Sequence, residues 1–322
     1  MRIDKLSENL TPLHKGTLFG IDTENDTPTP LTVEIINVAT GEIVATQMLH
    51  NATSTTVNIA PYINDMEVVT PSKTRRIGFS IAPTATYKIR INDIESEEVV
   101  VSVNNCNVAK WPSIITSMPT TRRITKGKND EVWIATKRGQ TIYAEIESDI
   151  GETLQVEYTP QTEISIMTIS TEDFQYEVHS FDVLLYCNGE IFESLHYKVD
   201  QPLKTATCLA WLSDKGTIER YTFPKSLKTT ISSEKKSIMM AQGVCSASCR
   251  TRRIITLSSR IEPQAIIEGL AQIAASPKVW IERNGEWELI EIITSEIDYD
   301  LFGEPSHLHI EACSWQKEVS LW

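Results

Sequence analysis

Five side chains have the chemistry to hold a soft metal ion. Cys245 and Cys249 stand four apart, and His307, His309 and Cys313 follow downstream. Zinc takes thiolate and imidazole ligands in a tetrahedron, and that cysteine spacing suits one ligand pair. The segment HLHIEACSW, however, alternates as a strand does, which puts His307 and His309 on one surface face. Thiols in a chain of this size pack as small hydrophobes. The expectation is packed thiols and surface histidines, with no metal and no cofactor.

Nucleophilic and acid–base chemistry find less support. None of the six histidines stands in a recognisable Ser, Cys or Asp context. Cys187, beside Asn188-Gly189, reads as a core thiol at a strand end. The acidic runs ESEE (95–98), STED (170–173) and DYD (298–300) contain carboxylate pairs. Glycoside hydrolysis needs two carboxyls about 5–10 Å apart across a cleft. Solvated loops and strand edges explain these runs more simply. The segment TKGKND lacks the second glycine and the Ser/Thr of a phosphate-binding loop, and neither Gly-x-Ser-x-Gly nor His-Glu-x-x-His occurs. No catalytic residue is expected, and the chain is not expected to be an enzyme.

Tryptophan offers another chemistry. Trp111, Trp133, Trp211, Trp280, Trp287, Trp315 and Trp322 could stack sugars if exposed, or fill β cores and subunit interfaces if buried. Core and interface is the favoured reading. Trp280 and Trp287 flank Asn284-Gly285 and are expected near cross-strand positions.

The elements that must position these residues are mostly strands. LTVEIINV (31–38) alternates and then shifts phase; YKIRIND, QTIYAEI and ISIMTIS alternate; EVVVSVNN is β-branched. Asn188-Gly189 and Asn284-Gly285 each sit between apolar runs and predict type I′ hairpins. LSDKGTIERY predicts a third hairpin, turning at Gly216. One segment, 262–276, reads as a helix: Pro263 suits its first turn, Ile266, Leu270 and Ile273 share a face, and Ser276-Pro277 ends it. PYINDM, after Ala60, suggests one helical turn.

At 322 residues the chain suggests two or three domains. Weak periodicity at 107–130 and at 199–207 marks two junctions. The expected domains are 1–110, 111–202 and 203–322, each β-rich, sandwich-like or barrel-like, with the short helix near 263–275 in the last. Thirty basic and 43 acidic residues give a net charge of −13, which repels phosphate backbones and argues against nucleic acid. Arg122-Arg123 with Lys126 and Lys128, and Arg250, Arg252 and Arg253, read as short solvated loops. The opening MRIDKLSENLTPLHKG has no apolar core of a signal peptide, and no run approaches membrane-span length. Synthesis in the cytosol without membrane insertion is expected.

The last third carries an ordered series of motifs. LAWLSDKGTIERYTF supplies Trp211, Leu212, Gly216, Tyr221 and Phe223. A polar strand region, KTTISSEKKSIMM, follows. The later segment supplies Ser276, Pro277, Val279 and Trp280, then Ile292 or Ile293 and Tyr299. Over residues 205–322 this series resembles tail structural proteins carried by prophages and phage-like elements of anaerobic gut bacteria. The resemblance upstream is only architectural. It implies a non-enzymatic part of a virion or tail-like particle, acting through contacts with other tail or assembly proteins and with itself, as a homo-oligomeric ring. The alternative from tryptophan content is a carbohydrate-binding or adhesin-like β-sandwich. A hydrolase whose acidic pair converges only in space is a third.

Overall fold

A computed structural model describes the chain except for residues 7–10, 13–15, 25–26, 64–68, 103–110, 241–242, 298–303, 316–318 and 321–322; the side chains of 11–12, 29, 51–52, 102, 238, 240, 245–250, 315 and 319–320 also lie outside the description. The protein is all-β and multidomain, with one α-helix among the described residues. It divides into two compact units, Met1–Thr70 with Ala82–Ala109, and Pro71–Ile81 with Lys110–Trp322.

The first unit is a sandwich. A three-stranded sheet orders Arg2–Lys5, Leu18–Asp22 and Ser54–Asn58. Its partner sheet runs through Thr11–Pro12, Val99–Ser102, Thr84–Ile91, Thr29–Asn37 and Ile43–Ala52, with Ile94–Glu95 attached to Thr84–Ile91. Phe19, Ile21 and Val57 from one sheet meet Val33, Ile35, Ile89 and Ile91 from the other. The phase shift in LTVEIINV has a physical cause. The register slips between Ile35 and Ile36, and the slip lets both residues be buried. A single 3-10 turn spans Ala60–Tyr62.

The second unit holds two hydrophobic cores. One lies between a four-stranded sheet (Ser113–Ile115, Asn129–Ala135, Ile164–Ser170, Gly78–Ile81) and a five-stranded sheet (Thr121–Thr125, Glu190–Asp200, Ser180–Cys187, Ile142–Ser148, Thr153–Tyr158). Segment 71–81, placed in the first domain by the sequence reading, belongs here. Its Gly78–Ile81 strand completes the four-stranded sheet against Ile164–Ser170. Ile164–Ser170 is buried on both faces, so its alternation does not mark a half-solvated strand.

The other core belongs to an eight-stranded sheet. Its path runs Ile218–Phe223, Thr207–Leu212, Val279–Arg283, Glu286–Ile292, His309–Trp315, Gly243–Ser258, Lys225–Met240, with Val319–Ser320 paired to Gly243–Ser258. The helix Gln264–Ala275 buries Ile266, Ile267, Leu270 and Ile273 in this core, each worth about 1.5–3 kcal/mol. Pro263 is its N-cap rather than a residue of its first turn, and Ser276 is its C-cap. Both Asn-Gly turns have positive φ at both positions (53° and 81° at Asn188-Gly189, 55° and 82° at Asn284-Gly285), as type I′ geometry requires.

Candidate functional site

Among the described residues, the chemistry-bearing side chains of the sequence do not converge. Asp298, Asp300, Tyr299, Cys106 and the side chains of Cys245, Cys249, Trp315 and Trp322 lie outside the described residues. His307 and His309 do share a face, with ring centroids 6.3 Å apart, and both are exposed. They line a cavity with Arg123, Lys225, Leu227 and Arg260. Cys313 is buried elsewhere in the sheet, opposite Ile254 on one neighbouring strand and Glu291 on the other. No group of three potential metal ligands forms among the described residues. Burial raises the pKa of Cys187 and Cys313, and pushes that of Cys208 up to about 11, which keeps these thiols protonated and weakly nucleophilic.

The acidic runs are spent on local structure. Glu95 pairs with Lys88 at 2.5 Å. Asp173 accepts the backbone N–H of Ile77 at 2.5 Å, and Glu172 lies 3.7 Å from Arg75. Trp133, Trp211 and Trp280 are buried, while Trp111 is partly exposed. Trp280 stands opposite Leu289 and Trp287 opposite Glu282, so the two indoles are offset by two residues rather than paired. Trp287 instead lies under the Arg220 guanidinium, 5.0 Å from its centroid.

What the fold does bring together is a buried charged seam joining the two cores of the second unit. It starts with strand Ile218–Phe223. This strand ends the eight-stranded sheet, yet Ile218, Glu219, Arg220, Tyr221 and Phe223 are all buried. One side of the strand faces its own core. From its two opposite faces, Glu219 and Arg220 reach residues of the neighbouring module, Glu219 to Arg122 and Arg220 to Asn129 and Glu131.

Arg122 is the centre of the first cluster and is only 4% exposed. Its Nη1 donates to Asp130 Oδ2 at 3.0 Å and lies 3.6 Å from Glu219 Oε2. Its Nε donates to the Pro119 carbonyl at 2.8 Å, and its Nη2 donates to Thr116 Oγ1. Tyr197 donates its hydroxyl to Asp130 at 2.8 Å. Glu219 Oε1 accepts from Thr116, Thr217 and the Ser117 N–H. Burial by itself would lower the Arg122 pKa; Asp130, Tyr197 and Glu219 outweigh that and raise it. Arg122 is thus a permanent buried cation, not the solvated loop residue the sequence suggests.

Arg220 centres the second cluster. It donates to Glu131, to Asn129 and, at 2.9 Å, to the Ser72 carbonyl. Glu131 also accepts the Ser72 N–H at 2.7 Å. Burial raises the Glu131 carboxyl above its ordinary range, against the pull of Arg220 and Ser72. A third cluster sits further along. Arg123 and Arg260 share Asp200 at 3.1 and 3.0 Å, and Arg123 and the Tyr221 hydroxyl both reach Glu262. Lys128 closes the seam on Glu282 at 2.8 Å.

The helix locks one end of the seam. A Cβ built on Gly269 would meet Met118 Sδ at 2.5 Å and the Ser117 carbonyl at 3.3 Å. This close approach seats the helix on the loop that Glu219 holds, and it explains a glycine that costs helix propensity. Gly269→Leu is expected to destabilise the protein by about 1–3 kcal/mol through overpacking. Gly269→Ala is expected to do much less, because alanine recovers about 1 kcal/mol of helix propensity. Urea titrations followed by circular dichroism check both.

The arrangement ties two β-modules together; of its groups, Arg123 and Arg260 also line the cavity with His307 and His309. Sequence reasoning missed Asp130, Glu131, Glu219, Arg220 and Glu262. One signal was present: in NDEVWIA two acids run directly into a strand of apolar residues, where a charge must be paired to be buried.

No family model matches the chain, and no curated protein matches it. Among solved structures, a crystal structure described as Dpr2 Ig1-Ig2 in complex with DIP-Theta Ig1-Ig3 is similar at 11% identity and a TM-score of 0.20, covering 99% of this chain and 90% of that one. The fold and the seam define the class: an all-β, multidomain protein with two of its cores fastened together by buried charge. Among the described residues no helix is long and apolar enough to cross a membrane.

Proposed function

We propose that this chain is a non-enzymatic structural protein of a phage-like tail or a related assembly, acting through protein–protein contacts and self-association. The observation that carries the structural role is the seam. The chain's buried ionisable residues are committed to holding two β-modules in a fixed relation, as a load-transmitting subunit requires. The assignment to a tail rests on the ordered series from Trp211 to Trp280. Its residues support the reading by forming one hairpin, one helix end and one adjoining strand of a common core.

Gene neighbourhood tests the tail assignment. Terminase, tape-measure or baseplate genes next to this one are the expected result. A neighbourhood of polysaccharide-utilisation genes would overturn it in favour of the second reading. That reading, a carbohydrate-binding module, is favoured by one feature. Tyr143 and Tyr186 meet edge to face at 5.7 Å beside Glu157 and Asn188 in a shallow pocket. A glycan array that returned no ligand would remove it.

A further inference from the structure

The second unit ends two of its sheets in open edges of opposite charge. The first edge is strand Lys225–Met240, which pairs only with Gly243–Ser258 among the described residues. These two 16-residue strands form a long hairpin. From Ile231 to Lys236 nearly every residue of the edge strand is exposed whichever way it faces, so the hairpin stands clear of the core as an arm. Ile231, Met239 and Val244 are 68%, 81% and 69% exposed. A two-stranded ribbon alone in water is marginally stable, and an exposed edge with unpaired backbone groups invites another strand to pair with it.

The charge of the arm differs from that of the rest of the chain. Residues 225–258 contain seven Lys and Arg and a single acid, Glu234. That is a net +6. The remaining residues hold 23 basic and 42 acidic side chains, a net −19. Lys228, Lys235 and Lys236 stand exposed along the open edge, and Arg253 is exposed on the partner strand opposite Ile231. Arg250, Arg252 and Arg253 lie within strand Gly243–Ser258 rather than in a solvated loop.

The second edge is strand Thr153–Tyr158, which ends the five-stranded sheet and, among the described residues, pairs only with Ile142–Ser148. Leu154 packs inward on the core and Tyr158 stacks on Phe79. Thr153, Gln155 and Glu157 face out, and opposite them across the ladder stand Glu147, Glu145 and Tyr143. Glu147 and Glu157 are exposed. This edge is short, acidic and open.

We propose that the basic edge Lys225–Met240 of one copy pairs with the acidic edge Thr153–Tyr158 of a second copy, adding a strand across the subunit boundary. Lysines on an edge strand ordinarily guard it against its own kind. Here they repel a second basic arm and leave an acidic edge as the matched partner. Backbone hydrogen bonds supply the pairing, as in strand addition generally, and charge supplies the choice of partner. Six residues at about 3.3 Å each give a shared ladder about 20 Å long. Because the two surfaces differ, the contact is head-to-tail. It propagates into a ring where the rotation closes and into a filament where it does not. The inference rests on the self-association in the proposed function and names its surfaces.

Two charge-reversed variants of the full chain test it. K228E/K235E/K236E disables the arm, and E147K/E157K disables the acidic edge; all five side chains are exposed and outside the cores. Sedimentation velocity at about 0.05 M and about 0.5 M salt compares them with the unaltered chain. The unaltered chain is expected to associate, more weakly at high salt. Each variant alone is expected to be monomeric, its self-association weakened more than about a hundredfold by like-charge contacts. Mixed one to one, the intact edge of one variant matches the intact arm of the other, and the reversed arm matches the reversed edge, so association is expected to return. Variants that assemble like the unaltered chain would overturn this interface while leaving self-association in place. A mixture that stays monomeric would also overturn it. Tight binding of a DNA duplex by a chain that remains monomeric would reassign the arm to nucleic acid. A chain monomeric under all conditions would remove both this interface and the self-association behind it.

Discussion

Arg122→Met is expected to cost about 3–5 kcal/mol of folding stability, among the largest losses any single substitution in this chain should produce. The reason is asymmetric. An intact buried ion pair gains little, because desolvating both charges offsets their attraction; removing one partner leaves the other charge buried and uncompensated. Here the loss would strand Asp130 and Glu219, which are themselves 6% and 1% exposed, and would deprive Pro119 and Thr116 of a donor. Asp130 would keep the Tyr197 hydroxyl, and Glu219 the neutral donors Thr116, Thr217 and Ser117 N–H, none of which carries a compensating charge. The triple variant R122M/D130N/E219Q is expected to recover much of the loss, since neutral amides cost far less to bury than carboxylates. Urea denaturation of the three proteins measures this. Hydrogen exchange should show the loss at residues 116–135 and 217–223 together, because both modules lean on the one guanidinium. A loss below about 1 kcal/mol would mean the seam is solvated and does not fasten the modules.

Trp211→Ala is expected to cost about 3–5 kcal/mol by a different route. Trp211 is fully buried in the core that the helix covers, between strand partners Glu219 and Val279. Removing the indole leaves a cavity that rigid neighbours on two strands can fill only partly. Trp211→Phe should cost much less. It keeps most of the apolar contact and deletes an indole N–H that has no acceptor in reach. Near-ultraviolet circular dichroism during urea titration separates the two variants. Equal losses would show that the indole N–H, rather than ring volume, sets the stability of this core.

These two residues also mark what was legible in the sequence. Trp211 sits in a strand whose hairpin follows from local rules: an apolar run, a polar break, and Gly216 with φ of 72°. The two Asn-Gly turns and the helix Gln264–Ala275 follow from equally local physics, and so does the bulge at Ile35, which the phase shift announces. Arg122 could not be read this way. A charged residue is outside by default, and only tertiary pairing reverses that. Its partners lie eight, 75 and 97 positions away in the chain, at Asp130, Tyr197 and Glu219, beyond any local window. Arg220 is the same case within the opening hairpin motif. Its alternation with Tyr221 correctly indicates a strand, but both faces of that strand are buried because a second module covers the outer one. The arm was half legible: KTTISSEKKSIMM reads as a polar strand, whereas the basic residues after Cys249 carry too little β-propensity to announce that they pair with it.

The central claim is that the chain works as a subunit rather than as a lone binding module. Multi-angle light scattering of the full chain across a hundredfold concentration range, with electron microscopy of the same samples, tests it most directly. The account predicts a mass that rises in whole multiples of 36.2 kDa and particles of repeating subunits. A single monomeric mass at every concentration, with no repeating particle in the images, would contradict it.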